Sequence, residues 1–114
     1  MKIVYIAHPI GGDIFNNTLK VRKIIREINI TQPDILPFAH YLVDLTCLDD
    51  DIPAERERGI KNDIALMKVG FINELWLYGD KISPGMGHEI ALAIKLGIPV
   101  ISKSEGTKSF KYIS

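Results

Sequence analysis

Two carboxylates fall where an acid is expensive to keep. Glu89 closes the stretch SPGMGHE (Ser83 to Glu89), which follows the apolar run ELWLY and precedes IALAIKLGIPVI. Asp63 lies inside ERERGIKNDIALMKV. At about 100° per residue, Met86, Ile90, Ala93 and Leu96 share one broad side of the last long helix. Glu89 falls within that arc, between Leu96 and Ala93, while His88 and Lys95 face water. On the preceding helix, Ile60, Ile64, Leu66 and Met67 define the apolar face, and Asp63 sits between Leu66 and Met67. Glu55, Arg56, Arg58, Lys61 and Lys68 occupy its exposed sides. A buried carboxylate is costly unless it is paired or hydrogen-bonded. Two of them in one short domain suit a nucleophile, or a counter-charge to a cationic transition state. Burial raises a carboxyl pKa and first-turn backbone N–H groups lower it, so Glu89 at a helix start is expected to feel both. The non-catalytic alternatives are a Glu89 that caps its own helix and an Asp63 salt-bridged to a nearby Arg.

The glycines before Glu89 suggest a second task. Gly85 and Gly87 leave backbone N–H groups uncovered near a helix N-terminus, which favours an anion, and Ser83 adds a hydroxyl donor. No Gly-Lys-Ser/Thr follows, and the pattern is not G-x-G-x-x-G, so neither a Walker loop nor a dinucleotide fingerprint is present. Spacing separates the two roles. The loop can hold a phosphate or a sugar hydroxyl while Glu89 faces a carbon some distance away.

These groups need a scaffold that brings loops together. KIVYIA (Lys2 to Ala7) reads as a buried strand, HPIGGD as a loop, and Ile14 to Asn29 as a helix. DILPFA is a second strand, and HYLVDLTCLDDDIP reads as irregular and acidic. Pro53 is suited to open a helix running from about Ala54 to Val69, which Gly70 ends. NELWLY is the third strand, GDKISPGMG a loop, Met86 to Leu96 a helix closed by Gly97, and IPVIS the fourth strand. FKYI in the polar tail is a candidate fifth strand. Strands alternating with helices imply an α/β, three-layer, mostly parallel Rossmann/flavodoxin-like sheet of 4–5 strands with helices on both faces. Such sheets bind ligands beyond the carboxyl ends of their strands. Tyr5, His8, Gly11 and Gly12, then His40, then Asp80, Ser83, Gly85 and Gly87 should gather there.

Bulk properties narrow the partners. The 114 residues are expected to form a single domain (1–114), 46% hydrophobic and 25% charged. Lys+Arg and Asp+Glu both number 14, so no global positive field gathers a nucleic acid polymer or an anionic membrane. The lone Cys47 cannot form an internal disulfide, and no spacing suggests a zinc site. The apolar start is short and broken by His8 and Pro9, unlike a signal peptide, and no run approaches a membrane span. A cytoplasmic protein is the expectation. The Asp49–Asp51 run reads as a solvated loop, with a divalent cation as the alternative.

YIAHPI, the ND of the middle helix, ELWLY and SPGMGHEIALAIKLGIPVI together resemble the nucleoside 2-deoxyribosyltransferase superfamily, over Lys2 to Ile101. The resemblance implies that Glu89 attacks C1′ of a deoxyribosyl group, that Asp63 binds the base or assists its departure, and that Tyr5 orients the glutamate. The transferases carry an aspartate where this chain has Ser83. The Ser-x-Gly-x-Gly-x-Glu pattern and PIGGD are instead similar to the 2′-deoxynucleoside 5′-phosphate N-hydrolases, whose serine and glycine amides grip the 5′-phosphate. FAHYL…LDDDIPAERERGI and GDKISPGM resemble small bacterial and phage members of the superfamily.

The implied chemistry is cleavage of an N-glycosidic bond through an oxocarbenium-like transition state. Glu89 forms a glycosyl ester, Asp63 protonates the leaving base, Ser83, Met86, Gly85 and Gly87 line the phosphate loop, and His8, Gly11 and Gly12 approach from the other side. Water releases the sugar, with no metal or organic cofactor. The ligand is a nucleoside or nucleoside monophosphate, and the resemblance implies a homodimer or higher homo-oligomer. The rival readings are base exchange by a nucleoside deoxyribosyltransferase, a non-catalytic nucleotide-binding module, a phosphate-ligand regulator, and a flavodoxin-like redox protein.

Overall fold

The computed structural model describes residues 1–112. Its centre is a four-stranded, all-parallel sheet in the order β2-β1-β3-β4. The strands are β1 (Lys2–Ala7), β2 (Ile35–Phe38), β3 (Glu74–Leu77) and β4 (Val100–Ser102). The helices are α1 (Ile14–Thr31), α2 (Tyr41–Cys47), α3 (Pro53–Val69) and α4 (Pro84–Lys95), and a 3-10 helix, Glu105–Tyr112, follows β4. This is the three-layer Rossmann/flavodoxin-like arrangement that alternating strands and helices require.

Strand order places the helices. From β1 the chain moves outward to β2, then crosses back over β1 to β3 and on to β4. Crossovers between parallel strands are right-handed, so reversing direction puts α1 on one face and α3 and α4 on the other. The two cores agree. Val4, Ile6 and Trp76 pack with Ile28 of α1. Tyr5, Ala7, Leu75 and Leu77 pack with Met67 of α3 and with Met86, Ile90 and Ala93 of α4. Period-2 alternation along β1 therefore sends Tyr5 toward α3 and α4. Because β1 is covered on both faces, it reads as a continuous apolar run.

Local chemistry sets the boundaries. Asp13 caps α1 by accepting the Asn16 N–H at 3.4 Å. Pro53 opens α3, and Gly70 ends it at φ 95°. Ser83 caps α4 with Pro84 in its first turn, so the helix starts two residues before the expected Met86.

Three expectations are corrected. The segment read as irregular folds Tyr41–Cys47 into α2, where Tyr41, Leu42, Asp44 and Leu45 are half-buried. Val43 and Thr46 favour strands locally, and tertiary packing of one face overrides that preference. FKYI is not a strand: Phe110 to Tyr112 continue the 3-10 helix, and Ile113 lies outside the described residues. On α3, Ile60 and Ile64 are 50% and 37% exposed. The helix instead turns Gly59 and Met67 fully inward, with Asn62, Asp63 and Leu66 half-buried.

Candidate active site

The sheet reverses direction between β1 and β3, and the loops leaving these strands diverge from that point. They touch at Gly79, whose φ is 104° and where a Cβ would lie 2.5 Å from Pro9 Cδ. Only glycine lets the two loops approach this closely.

Tyr5 is fully buried below this crevice. Its ring lies 6.3 Å from Phe38 and 6.1 Å from Tyr41, centroid to centroid. Its hydroxyl reaches the Glu89 carboxyl, but no protein atom gives it a well-formed hydrogen bond. Burial, then the charges of Glu89 and Asp63, push its pKa well above the usual phenol value. Tyr41 is different, because its hydroxyl donates to the Ile6 carbonyl at 2.6 Å and so ties α2 to β1.

Glu89 sits in the second turn of α4 rather than the first, because the helix begins at Pro84. Ser83 performs the capping, so the self-capping alternative falls. First-turn amides do not hold Glu89 ionised. Enclosure by protein raises its pKa to about 7, with the Tyr5 hydroxyl pulling the other way. As a residue it is only half-buried, so part of its surface remains open to an incoming molecule.

Asp63 is half-buried on α3, and its Oδ1 is shut away from solvent without a partner. The salt bridge expected as its alternative is absent: among the described residues the ion pairs are Lys2–Glu74, His40–Asp44 and Lys108–Glu105. Burial raises the Asp63 pKa to about 8, followed by the charge and hydrogen bonding of Asp44 and then by the charge of Glu89.

Asp44 was not visible as a site residue in the sequence. It projects from α2 where Gly59 lets α3 approach: a Cβ on Gly59 would lie 3.4 Å from Asp44 Cβ. Asp44 Oδ1 accepts from Asn62 Nδ2 at 3.4 Å and lies 3.5 Å from His40 Nε2. Its Oδ2 is buried without a partner. The signal lay in spacing, since Tyr41, Asp44, Leu45 and Leu48 recur at helical intervals with an acid inside the stripe.

The phosphate loop is narrower than the glycines suggested. Ser83 Oγ accepts the Met86 N–H at 3.3 Å, and the Gly87 N–H closes onto the Ser83 carbonyl at 2.9 Å. Gly85 keeps the first-turn N–H that has no intrahelical acceptor, and the Ser83 O–H proton stays free to donate. Nothing lies within 4 Å of a Cβ position on Gly85 or Gly87, so the turn is open. Met86 is 1% exposed and its side chain belongs to the core beneath the turn, so only its backbone lines the loop. His8 is buried, and its Nδ1–H donates to the Pro9 carbonyl at 2.6 Å. Gly11 and Gly12 are exposed with open space around them, and Gly12 has φ 88°.

A separate open cleft of about 480 Å³ is lined by Ile14, Leu45, Cys47, Asp49, Asp51 and Glu55, among others. None of Tyr5, Asp63 and Glu89 lines it. The acidic loop there is held by its own bonds, with the Asp49 N–H on Glu55 and the Asp51 N–H on Asp49. Among the described residues no group of three or more His, Cys, Asp or Glu is arranged to hold a metal ion.

Residues 2–103 match the family model described as a domain of unknown function, DUF7768. The chain belongs to DUF7768. No curated protein and no solved structure matches it. The DUF7768 span contains all four strands together with Tyr5, Asp44, Asp63 and Glu89, whereas Thr107 in the 3-10 helix lies beyond it. Among the described residues of this DUF7768 chain, no helix is long and apolar enough to cross a membrane.

Proposed function

We propose that this protein cleaves the N-glycosidic bond of a nucleoside 5′-monophosphate, ribo or deoxy, and releases the base. One observation carries the reading. The buried side-chain polar atoms without a partner among the described residues are Tyr5 Oη, Asp44 Oδ2 and Asp63 Oδ1; the Tyr5 hydroxyl reaches Glu89, and Asp63 feels the charges of Asp44 and Glu89. A native core rarely leaves such atoms unpaired. Gathered at a sheet's switch point, they suit a site that its ligand completes.

The chemistry follows from the two carboxyls. Glu89 loses its proton first, at about 7, and Asp63 keeps its own to about 8. Between a pH of about 7 and about 8 Glu89 is mostly carboxylate and Asp63 mostly acid, the division of roles that glycoside cleavage needs. Asp63 gives its proton to a base nitrogen as the C1′–N bond breaks and the bonding pair leaves with the base. Glu89 closes on C1′ to form an ester. Water then attacks C1′, its proton passes to Asp63, and Glu89 leaves as carboxylate. The Tyr5 hydroxyl steadies the Glu89 charge, while the Ser83 hydroxyl and the Gly85 N–H take the phosphate oxygens.

Base release should rise as Glu89 ionises and fall as Asp63 ionises, giving a bell with limbs near 7 and 8. The decisive experiment is chromatography of free base over nucleosides and 5′-monophosphates, ribo and deoxy, with Glu89→Gln as control. Release from monophosphates that disappears in the variant is the expected result. Release from nucleosides alone, with exchange onto a second base, would replace hydrolysis by transfer. Binding without release would leave a nucleotide-binding module.

The proposal includes a homo-oligomer. Ile60 and Ile64 are 50% and 37% exposed one turn apart on α3, an apolar surface that a second copy would cover. Light scattering after size exclusion should give at least a dimer.

A further inference from the structure

Asp44 has no task in the reaction just described, yet it meets α3 at Gly59 and Asn62, one turn before and next to Asp63, and its charge acts on Asp63 more strongly than that of Glu89. We infer that Asp44 is a positioning residue whose carboxylate accepts the proton carried by Asp63, holding that acid toward the leaving base. The part played in base departure rests on the glycosidase reading; the shared proton does not.

Geometry supports the pair. Asp44 Oδ1 is occupied by Asn62 Nδ2 and approached by His40 Nε2, which leaves Oδ2 for the interior. Both Asp44 Oδ2 and Asp63 Oδ1 are buried and partnerless. One proton between the two carboxyls gives each atom its partner. Without it, two acceptors would face each other away from water, which is costly twice over, in lost hydrogen bonding and in like-charge repulsion. Gly59 is what permits the approach, because α2 lies against α3 at that residue.

The surroundings keep the proton in place. Around the pair stand His40 and Tyr41 from α2, Asn62 from α3, Tyr5 from β1 and Glu89 from α4. Arg58 reaches only Asn62 Oδ1, at 3.1 Å, and so polarises the amide that donates to Asp44. Among the described residues no cation is within ion-pair distance of Asp63. His40 Nε2 lies 3.5 Å from the outer oxygen of Asp44, which leaves the inner oxygen to hold the proton. After Asp63 has given its proton to the base, two carboxylates confront each other. That repulsion makes Asp63 a stronger base for the proton of the incoming water, so one contact serves both half-reactions.

The test is isotope-edited infrared spectroscopy of the intact chain labelled at aspartate carboxyl carbons, together with pH–rate profiles. The wild type minus Asp63→Asn difference should show a protonated-carboxyl band that persists to a pH of about 8. In Asp44→Asn the amide donates to Asp63 instead of repelling it, so the band should vanish about one pH unit or more lower. The alkaline limb of base release should move with it, while the Glu89 limb stays. A band that titrates identically with and without Asp44 overturns the inference. So does a wild-type difference spectrum with no protonated carboxyl above the ordinary carboxylate range, a result that needs no Asp44 variant to fold. A protein that shows the shared proton but releases no base keeps the pair and removes the glycosidase reading. Base release with Asp63 indifferent to Asp44 does the reverse.

Discussion

Two buried polar regions lie at the carboxyl edge of the same sheet, and they are built on opposite terms. Beyond β4, Thr107 is fully buried in the 3-10 helix. Its hydroxyl meets Ser102 Oγ at 2.7 Å, Ser104 Oγ at 3.1 Å and the Leu77 carbonyl at 3.3 Å. Ser104 Oγ also donates to the Gly79 carbonyl at 2.7 Å, so the chain after β4 fastens the loop after β3. Beside it, around β1, Tyr5, Asp44 and Asp63 each keep an unpaired polar atom. The first region spends its polar groups on the fold and the second withholds them. A satisfied network stabilises, and an unsatisfied one persists where something else is selected for.

The contrast can be broken most severely at Glu89. Glu89→Gln should lower base release at least ~10²-fold, because a neutral amide cannot offset a developing cation. Steady-state assays at neutral pH measure this, and retention of rate would detach the unsatisfied region from catalysis.

Gly106→Ala attacks the other region. A Cβ there would run into the Asp80 backbone, so the 3-10 helix must shift off the loop. A loss of about 1–3 kcal/mol is expected by chemical denaturation, with base release per folded molecule much less affected than in Glu89→Gln.

A matched pair sharpens the comparison. Thr107→Val removes a hydroxyl whose partners are buried and should cost roughly 1–3 kcal/mol. Tyr5→Phe removes a hydroxyl without a well-formed bond, so melting should be unchanged or raised. It should also move the acidic limb of activity upward, since the Tyr5 hydroxyl holds the Glu89 pKa down. Equal melting losses in the two variants would erase the distinction.

The same carboxyls should also make stability depend on pH. Asp63 and Glu89 hold protons more tightly folded than unfolded, where their values are 3.8 and 4.5. Their contribution is complete below those values and is lost as pH rises through about 8 and about 7. Wild type should therefore weaken across that window, and Asp63→Asn or Glu89→Gln should melt higher than wild type above pH 8. Calorimetry at matched pH checks the sign. A variant that melts lower would mean that the carboxylates are stabilised by groups other than those named.

Much of the site was legible because helical periodicity exposes an acid in an apolar stripe. Asp63 and Glu89 were found that way, and β1 was found by its β-branched run. Periodicity misplaced the α3 face, since Ile60 and Ile64 look interior on a wheel and stand in solvent. It also missed α2, a short helix with β-branched residues that Tyr41 ties to the Ile6 carbonyl of β1. With α2 unread, Asp44 had no address. The tail misled in the same way, because its order comes from hydroxyls meeting carbonyls that are distant in sequence, Thr107 with Leu77 and Ser104 with Gly79.

The amino-acid sequence by itself determined the alternation of strands and helices, the parallel sheet it implies, and the acids placed among apolar neighbours. These are short-range matters of propensity, period and spacing. Only the tertiary structure decided that Glu89 sits past the first turn, that Gly85 rather than Gly87 offers a free N–H, and that Asp44 stands against Asp63. Each of these depends on where one element stops or how closely two approach. Such distances are set by packing across the whole sheet, and no window along the chain contains them.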